Sequence, residues 1–359
     1  MLQRLHLRNF TVFEDAEFAF GSGLNVIVGA NGTGKSHVLK AGYSLDYHLL
    51  EKVRSLEELE VRFTRRGLQS LFLDDKLRNV FQPNPFLPSV LIRRKPETVE
   101  AEISADTVHD GWHENTSITI TETESIESGI KPLPPGGHKN FPDPVFIPAK
   151  EVLTMGWLSF LYDRREIPID QTYPDLLRLL MGPPLRQPEP ADIVAHLQNL
   201  LGGKVEEEGG HFYLAAPNQP RMEMNLVAEG LRKFATLYKL LANGTLTPDT
   251  TLFWDEPEAN LNPALLRELA AVLAQLARAG FQVILATHSL FLLKELHILA
   301  QQEATPVRYF GLSAQPGEAT TVVMADNLEL LPDIVALDAE LEQSDRFQQV
   351  LDKEDADRR

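Results

Sequence analysis

The chain contains no cysteine. That excludes thiol nucleophiles, cysteine-ligated zinc and iron–sulfur chemistry, and it fits a reducing compartment. Long apolar runs are also missing: no stretch approaches the roughly 18 consecutive apolar residues that a membrane helix needs. Met1–Phe10 alternates apolar and polar residues, whereas a signal peptide needs a continuous apolar block. A cytoplasmic location without membrane contact is expected. Basic residues are in deficit, with 34 Lys and Arg against 51 Asp and Glu and a net charge of −17. Such a surface repels a phosphate backbone. Contact with nucleic acid would have to come from a partner or from local basic patches at Arg65–Arg66, Arg93–Arg94–Lys95 or Arg164–Arg165, which serve equally well as solvated faces. What remains is 359 residues of ordinary globular composition, 43% hydrophobic and 24% charged. That length suits two to three domains at about 150 residues each and buries a core without covalent staples.

Leu2, Leu5 and Leu7 alternate with polar neighbours, the period of a half-buried strand, and Phe18 and Phe20 mark a second one. Residues 24–28 (Leu-Asn-Val-Ile-Val) form a short β-branched run of the buried-strand type, followed by a glycine-rich loop and a helix over about 36–53. Short β-like runs at 90–94 and 117–121 and a proline- and glycine-rich stretch at 130–138 set residues 54–140 apart. The expected organisation is therefore a discontinuous head, residues 1–53 and 141–359, with residues 54–140 as an inserted α+β subdomain that binds a partner. Further along, a hairpin is expected over 204–226, helices over 229–242 and from Pro263, and buried strands at 251–254 and 283–286. Asn262 as N-cap, Pro263 at the first helical position and Gly280 beyond the end bound the second of these helices. Alternating strands and helices imply an α/β class.

Gly29-Ala-Asn-Gly-Thr-Gly-Lys-Ser36 fits G-x-x-x-x-G-K-[ST] between a buried strand and a helix, the context that gives such a match meaning. Gly29, Gly32 and Gly34 let the backbone wrap so that amides, those of Asn31 and Thr33 included, point at phosphate oxygens. The helix N-terminus adds partial positive charge. Lys35 is placed to reach β/γ-phosphates, and the Ser36 hydroxyl to take a Mg²⁺ position. Far along the chain, Leu252-Phe-Trp-Asp-Glu-Pro-Glu258 ends a buried strand in carboxylates. Asp255 is the candidate for holding Mg²⁺ and Glu256 for activating a water. His288, in Thr287-His-Ser289 at the end of the next buried strand, is the candidate sensor of a γ-phosphate.

These segments, together with Leu5-His-Leu-Arg-Asn-Phe10 and Asp255-Glu-Pro-Glu-Ala-Asn-Leu-Asn-Pro263, resemble the ABC-type ATPase heads of the SMC, RecF and OLD (overcoming lysogenisation defect) group. The Glu-Pro-Glu-x-x-Leu-x-Pro form resembles most closely the stand-alone OLD-like bacterial ATPases. The resemblance covers roughly residues 1–40 and 225–295. It implies a P-loop head with a mixed sheet flanked by helices, ATP and Mg²⁺ as cofactors, and two ATP molecules sandwiched in a head-to-head homodimer or higher even oligomer. It also implies that Val227-Ala-Glu-Gly-Leu-Arg-Lys233 is the signature segment, with Glu229 and Gly230 meeting nucleotide in trans and Arg232 and Lys233 as further phosphate donors one turn along, and that Asn260-Leu-Asn262 is the D-loop. Ala228 stands where such heads usually present serine. Lys150, in Phe146-Ile-Pro-Ala-Lys-Glu151, is the Q-loop candidate or else a solvated lysine.

The expected function is ATP hydrolysis that gates a DNA-related process such as phage defence or DNA repair. A nucleotide-gated scaffold holding an effector nuclease or toxin, with slow hydrolysis, is the alternative. The two share the nucleotide site and differ in turnover. No nuclease activity is expected of the chain itself, since it offers no second carboxylate cluster of two-metal type.

Overall fold

The computed structural model describes the chain apart from residues 59–74, 84–86, 94–99, 110–111, 122–125, 131–141, 159–168, 332–341 and 352–359. Its centre is a six-stranded sheet in the order β14-β13-β3-β12-β11-β7. The strands are β3 (Leu24–Gly29), β7 (Val145–Ile147), β11 (Thr251–Asp255), β12 (Gln282–Thr287), β13 (Val307–Ser313) and β14 (Thr321–Ala325). All run parallel except β14, which pairs antiparallel to β13 at one edge. Mixed pairing with helices on both faces is the expected α/β head.

The reason these segments become central strands lies in their continuous apolar character, because parallel strands are buried on both faces. Alternate residues divide between two cores. Val26, Val28, Leu252, Trp254, Val283 and Leu285 face one, and Ile27, Phe253, Ile284 and Ala286 face the other. The first core is closed by helices α2 (Thr172–Leu180), α3 (Ala191–Leu201), α4 (Glu229–Ala242), α5 (Pro263–Arg278) and α6 (Leu290–Glu303). Helix α5 begins as its sequence requires: the Asn262 side chain accepts a hydrogen bond from the Leu265 amide at 2.9 Å, with Pro263 in the first turn. The second core lies between helix α1 (Lys35–Glu58) and an antiparallel sheet of β1 (Leu2–Phe10), β2 (Phe13–Ala19), β4 (Glu100–His109), β5 (Trp112–Thr121) and β6 (Ile126–Ile130), in the order β2-β1-β4-β5-β6. A separate three-stranded sheet, β10-β9-β8, forms the expected hairpin region over 204–223.

The N-terminal sheet bears on the organisation expected for residues 54–140. Strand β4 (Glu100–His109) pairs antiparallel with β1 (Leu2–Phe10), matching Leu5 with Ala105 and Leu7 with Ile103, and β5 (Trp112–Thr121) pairs with β4. Ile103, Ile118 and Ile120 share the core of Leu5 and Val38. The described strands of this stretch are thus continuous with the sheet of β1 and β2 (Phe13–Ala19) in hydrogen bonding and in core. The β-like run expected over 90–94 departs from expectation: Pro88–Leu91 is a 3₁₀ turn, since Pro88 offers no amide to a ladder, and Ile92 makes a single bridge to Phe10. The stretch at 131–138 lies outside the described residues.

One buried side chain fastens the two sheets together. Gln282, at the start of β12, accepts from the Leu2 amide at 2.9 Å and donates to the carbonyls of Leu2 and Gly21 at 2.7 and 2.9 Å. It also accepts from the Thr251 hydroxyl at 3.2 Å. Replacing it by an apolar residue of similar size takes the partner from the buried Leu2 amide and carbonyl, each at a cost of about 1–3 kcal/mol, while the Gly21 carbonyl keeps Asn25 Nδ2. The Gln282→Leu variant is therefore expected to lose on the order of 2–4 kcal/mol of unfolding free energy, read as a lowered midpoint in urea denaturation.

Candidate functional site

Strand β3 delivers Gly29 to the carboxyl end of the central sheet, where space is already spent. A Cβ on Gly29 would lie 2.6 Å from the Leu312 carbonyl oxygen and 2.8 Å from Thr33 Oγ1. The loop then turns through Gly32 at φ 83° and Gly34 at φ 92°, both in the left-handed region that glycine adopts without strain. At Gly34 a Cβ would meet Val12 Cγ2 at 2.5 Å and the Phe13 ring at 2.8 Å, so the turn between β1 and β2 presses on the loop. Asn31 and Gly32 are exposed at the tip, and Thr33 is buried with its hydroxyl donating to the Ala30 carbonyl at 2.9 Å. Lys35 opens α1 and folds over the loop, donating to the carbonyls of Gly29 and Ala30 at 2.8 and 3.1 Å. Burial pushes its pKa down, while Glu256, Asp255 and Glu258 pull it up.

The distant acids meet this loop. Ser36 Oγ donates to Asp255 Oδ1 at 3.1 Å. Burial raises the Asp255 pKa, and the Ser36 hydrogen bond opposes that rise. Glu256 follows at φ 44°, with its amide bonded to the Ala286 carbonyl of β12 at 2.9 Å. His288 lies across from it: its Nδ1 is 3.6 Å from Glu256 Oε1 and 3.4 Å from Glu258 Oε1. Lys35, Ser36, Asp255, Glu256 and His288 thus converge at the carboxyl ends of β3, β11 and β12, where open parallel sheets place their ligand sites.

The residues fit a Mg²⁺–nucleotide pair. A glycine loop at a helix N-terminus, a buried lysine and an adjoining hydroxyl–carboxylate pair provide phosphate donors and hard oxygen ligands. Ser36 and Asp255 are the side chains that would hold the metal. Among the described residues no group of three or more His, Cys, Asp or Glu could hold a metal ion by itself. The donor set therefore suits a metal whose coordination is completed by phosphate and water.

The signature segment sits differently from what its sequence suggested. Ala228 and Glu229 are exposed at the start of α4, and the Glu229 side chain accepts from Asn260 Nδ2 at 2.8 Å. Gly230 is buried, and a Cβ there would lie 3.0–3.2 Å from Leu261 Cδ2, Leu265 Cδ1 and the Asn260 carbonyl. A side chain at this position would press on its own chain. Arg232 and Lys233, expected as phosphate donors, are turned inward. Arg232 pairs with Glu151 at 3.3 Å and donates to the carbonyls of Val227 and Asn225. Lys233 donates to the carbonyls of Glu256 and Pro257 at 3.0 and 3.3 Å. Lys150 is exposed beside Glu151.

Glu258 escaped the sequence reading, and Lys233 was read for phosphate and not for the backbone it holds. Lys233 falls on the apolar stripe of α4 that also carries Gly230, Phe234 and Leu237. A charge on such a stripe was the available signal. Glu258 is buried, and its Oε1 accepts from Thr287 Oγ1 at 2.7 Å and from the His288 amide at 3.0 Å. Of the basic patches, only Arg93 lies within the described residues. It is spent inside the fold, donating to the Val12 carbonyl at 2.6 Å.

Burial pushes Lys233 down to about 8 from its ordinary 10.5, against the pull of Glu258, Glu229, Glu256 and Asp255. Between those two values the unfolded chain holds a proton that the folded chain lacks, so this group's contribution to stability rises with pH across the window. Measured against Lys233→Met by urea denaturation, the wild type should gain on the order of 2 kcal/mol between about pH 8 and pH 10. An unchanged difference would show that the lysine keeps its proton in the fold.

Comparison with known proteins yields concordant partial matches. Residues 172–294 match the family model described as "AAA domain, putative AbiEii toxin, Type IV TA system", and residues 4–41 match a second one described as "AAA domain". The DNA replication and repair protein RecF of Citrobacter koseri is 37% identical over 78 residues, 21% of this chain and 20% of that one. RecF of Edwardsiella ictaluri is 48% identical over 46 residues, 13% of each. The chain thus spans about a fifth or less of the curated relatives it matches. Among solved structures, a SmcHead bound to the C-winged helix domain of ScpA superposes with a TM-score of 0.52 at 15% identity, over 92% of this chain and 98% of that one. A Pyrococcus furiosus Smc head domain with an extended coiled coil, bound to the C-terminal domain of ScpA, gives 0.51 at 12% identity, over 91% and 96%. At these identities the likeness concerns the fold. No described helix is long and apolar enough to cross a membrane.

Proposed function

We propose that this chain, an SMC/RecF-like ABC-type ATPase head, binds Mg-ATP at the loop of residues 29–36 and hydrolyses it with Glu256 as the base, closing head to head with a second copy. The observation that carries the reading is the Ser36–Asp255 hydrogen bond of 3.1 Å, which brings the glycine loop and the acidic strand end into one site. In this reading the backbone amides of residues 29–34 and the Lys35 ammonium bind the β/γ-phosphates. Bound Mg²⁺ supplies neutralisation of phosphate charge between Ser36 and Asp255. Glu256 orients the attacking water and accepts its proton. His288, on the facing strand end, senses the γ-phosphate. Glu229 and Asn260 hold each other on the exposed rim of α4, where a second protomer would meet them.

The setting we propose is a DNA-related process. Partial identity to a replication and repair protein and the match to a toxin-described family model support it. The OLD-like sequence form supports defence or repair as the specific role, with an effector protein as partner. The strong negative charge argues that any DNA is reached through that partner. The β5–β6 edge of the N-terminal sheet, within the stretch read as an insert, is the proposed partner surface.

Light scattering of Glu256→Gln with and without Mg-ATP tests closure. Nucleotide should double its mass, while hydrolysis falls on the order of 10²-fold or more through loss of the base. A Glu256→Gln protein that hydrolyses like wild type would remove this residue from the chemistry. Lys35→Ala should weaken ATP binding by roughly tenfold or more, the worth of a charge-assisted hydrogen bond. Equilibrium titration with a fluorescent ATP analogue reads that loss.

A further inference from the structure

Glu258 stands one step beyond the acids to which a role was assigned, and it is bound to the opposite side of the site. Its side chain comes from the turn after β11, yet both groups that donate to it belong to the end of β12: Thr287 Oγ1 at 2.7 Å and the His288 amide at 3.0 Å. The same oxygen lies 3.4 Å from His288 Nδ1. A carboxylate in a buried position costs free energy unless donors surround it. Here two donors are supplied by the segment that carries the histidine. The second oxygen, Oε2, is buried without a hydrogen-bond partner among the described residues. The carboxylate is therefore held from one side only, the side of His288.

The turn that carries Glu258 is itself fixed. The Ala259 amide bonds to the Glu256 carbonyl and the Leu261 amide to the Glu258 carbonyl, both at 3.1 Å. Lys233 grips the Glu256 and Pro257 carbonyls from α4, and Asn260 reaches Glu229 at the exposed start of that helix. Nδ1 is the ring nitrogen of His288 that faces both Glu256 and Glu258. The ring is half exposed and could otherwise rotate. A backbone amide and a fully buried threonine hydroxyl, clamped by one carboxylate oxygen, remove that freedom at the root of the side chain.

We propose that Glu258 is a positioning residue for ATP hydrolysis, setting the backbone and ring of His288 against Glu256 and tying them to the D-loop turn. The proposal rests on the ATPase reading above and adds a residue to its site. Its effect passes through His288, so nucleotide binding by the loop at 29–36 does not depend on it.

Steady-state ATP turnover of the full chain tests this in wild type, Glu258→Ala, Glu258→Gln, His288→Ala and the double variant Glu258→Ala/His288→Ala. Fluorescent-nucleotide affinity and circular dichroism accompany each. Glu258→Ala should lower kcat about tenfold or more, the scale of a small misplacement, with KM and nucleotide affinity unchanged to within about twofold. Glu258→Gln keeps an oxygen for Thr287 and the His288 amide and should restore most of kcat. The double variant should be no slower than the slower single one, because both changes remove one unit. If Glu258→Ala does not fold, Thr287→Val removes a donor without changing shape and should lower kcat at constant KM. An active wild type whose kcat survives Glu258→Ala or, in its place, Thr287→Val overturns the proposal. So do failure of Glu258→Gln to rescue and fully additive losses in the double variant. A wild type without turnover overturns the ATPase reading itself.

Discussion

The register of four parallel strands governs this molecule. Asp255 on β11 is level with Ala286 on β12, Thr287 is level with Val28 on β3, and Leu312 on β13 is level with Gly29. One residue of slip moves a strand end by about 3.3 Å, more than a hydrogen bond can follow. It would also exchange the two faces, driving Trp254 and Leu285 out of one core and Phe253 and Ile284 out of the other. Packing on both sides of the sheet therefore fixes where the chemistry-bearing side chains stand. The hydrogen bond between Ser36 and Asp255, 219 positions apart, is the product of that register.

The carboxylates and lysines around the site illustrate how a charged centre is kept inside an acidic protein. Asp255, Glu256 and Glu258 lie within four positions, and two lysines, Lys35 and Lys233, face them from different helices. Neither lysine makes a close ion pair with these acids; each donates instead to backbone carbonyls. Carbonyl dipoles hold the ammonium groups in place without consuming the carboxylates, which stay available to the site. Desolvation and attraction then oppose one another at both lysines, and desolvation prevails.

Much of this was legible in the sequence, and the boundary of legibility has a physical basis. The glycine loop, the acidic strand end and the histidine are local motifs, in which neighbouring residues carry the information. The central strands announced themselves by continuous apolar runs, and α5 by Asn262 and Pro263. Residues 100–109 did not reveal that they would pair with β1, because an antiparallel partner is chosen by long-range register and not by local composition. Nor did the sequence reveal that Leu261 and Leu265 close in on Gly230, because that contact too is made across the fold. Arg232 read as a donor to phosphate, but the acceptor it found, Glu151, lies 81 positions away.

The turn at Val12 has a mechanical meaning. Its carbonyl receives the Arg93 guanidinium at 2.6 Å and the Thr320 amide at 3.0 Å, and its side chain fills the space where Gly34 would carry a Cβ. Three segments distant in sequence are thus seated on one residue that touches the glycine loop. A displacement of the N-terminal sheet, or of the loop between β13 and β14, cannot be absorbed at this junction by a yielding side chain. It is passed on as a push against the backbone at Gly34, so force applied at either flank of the head is felt by the loop itself.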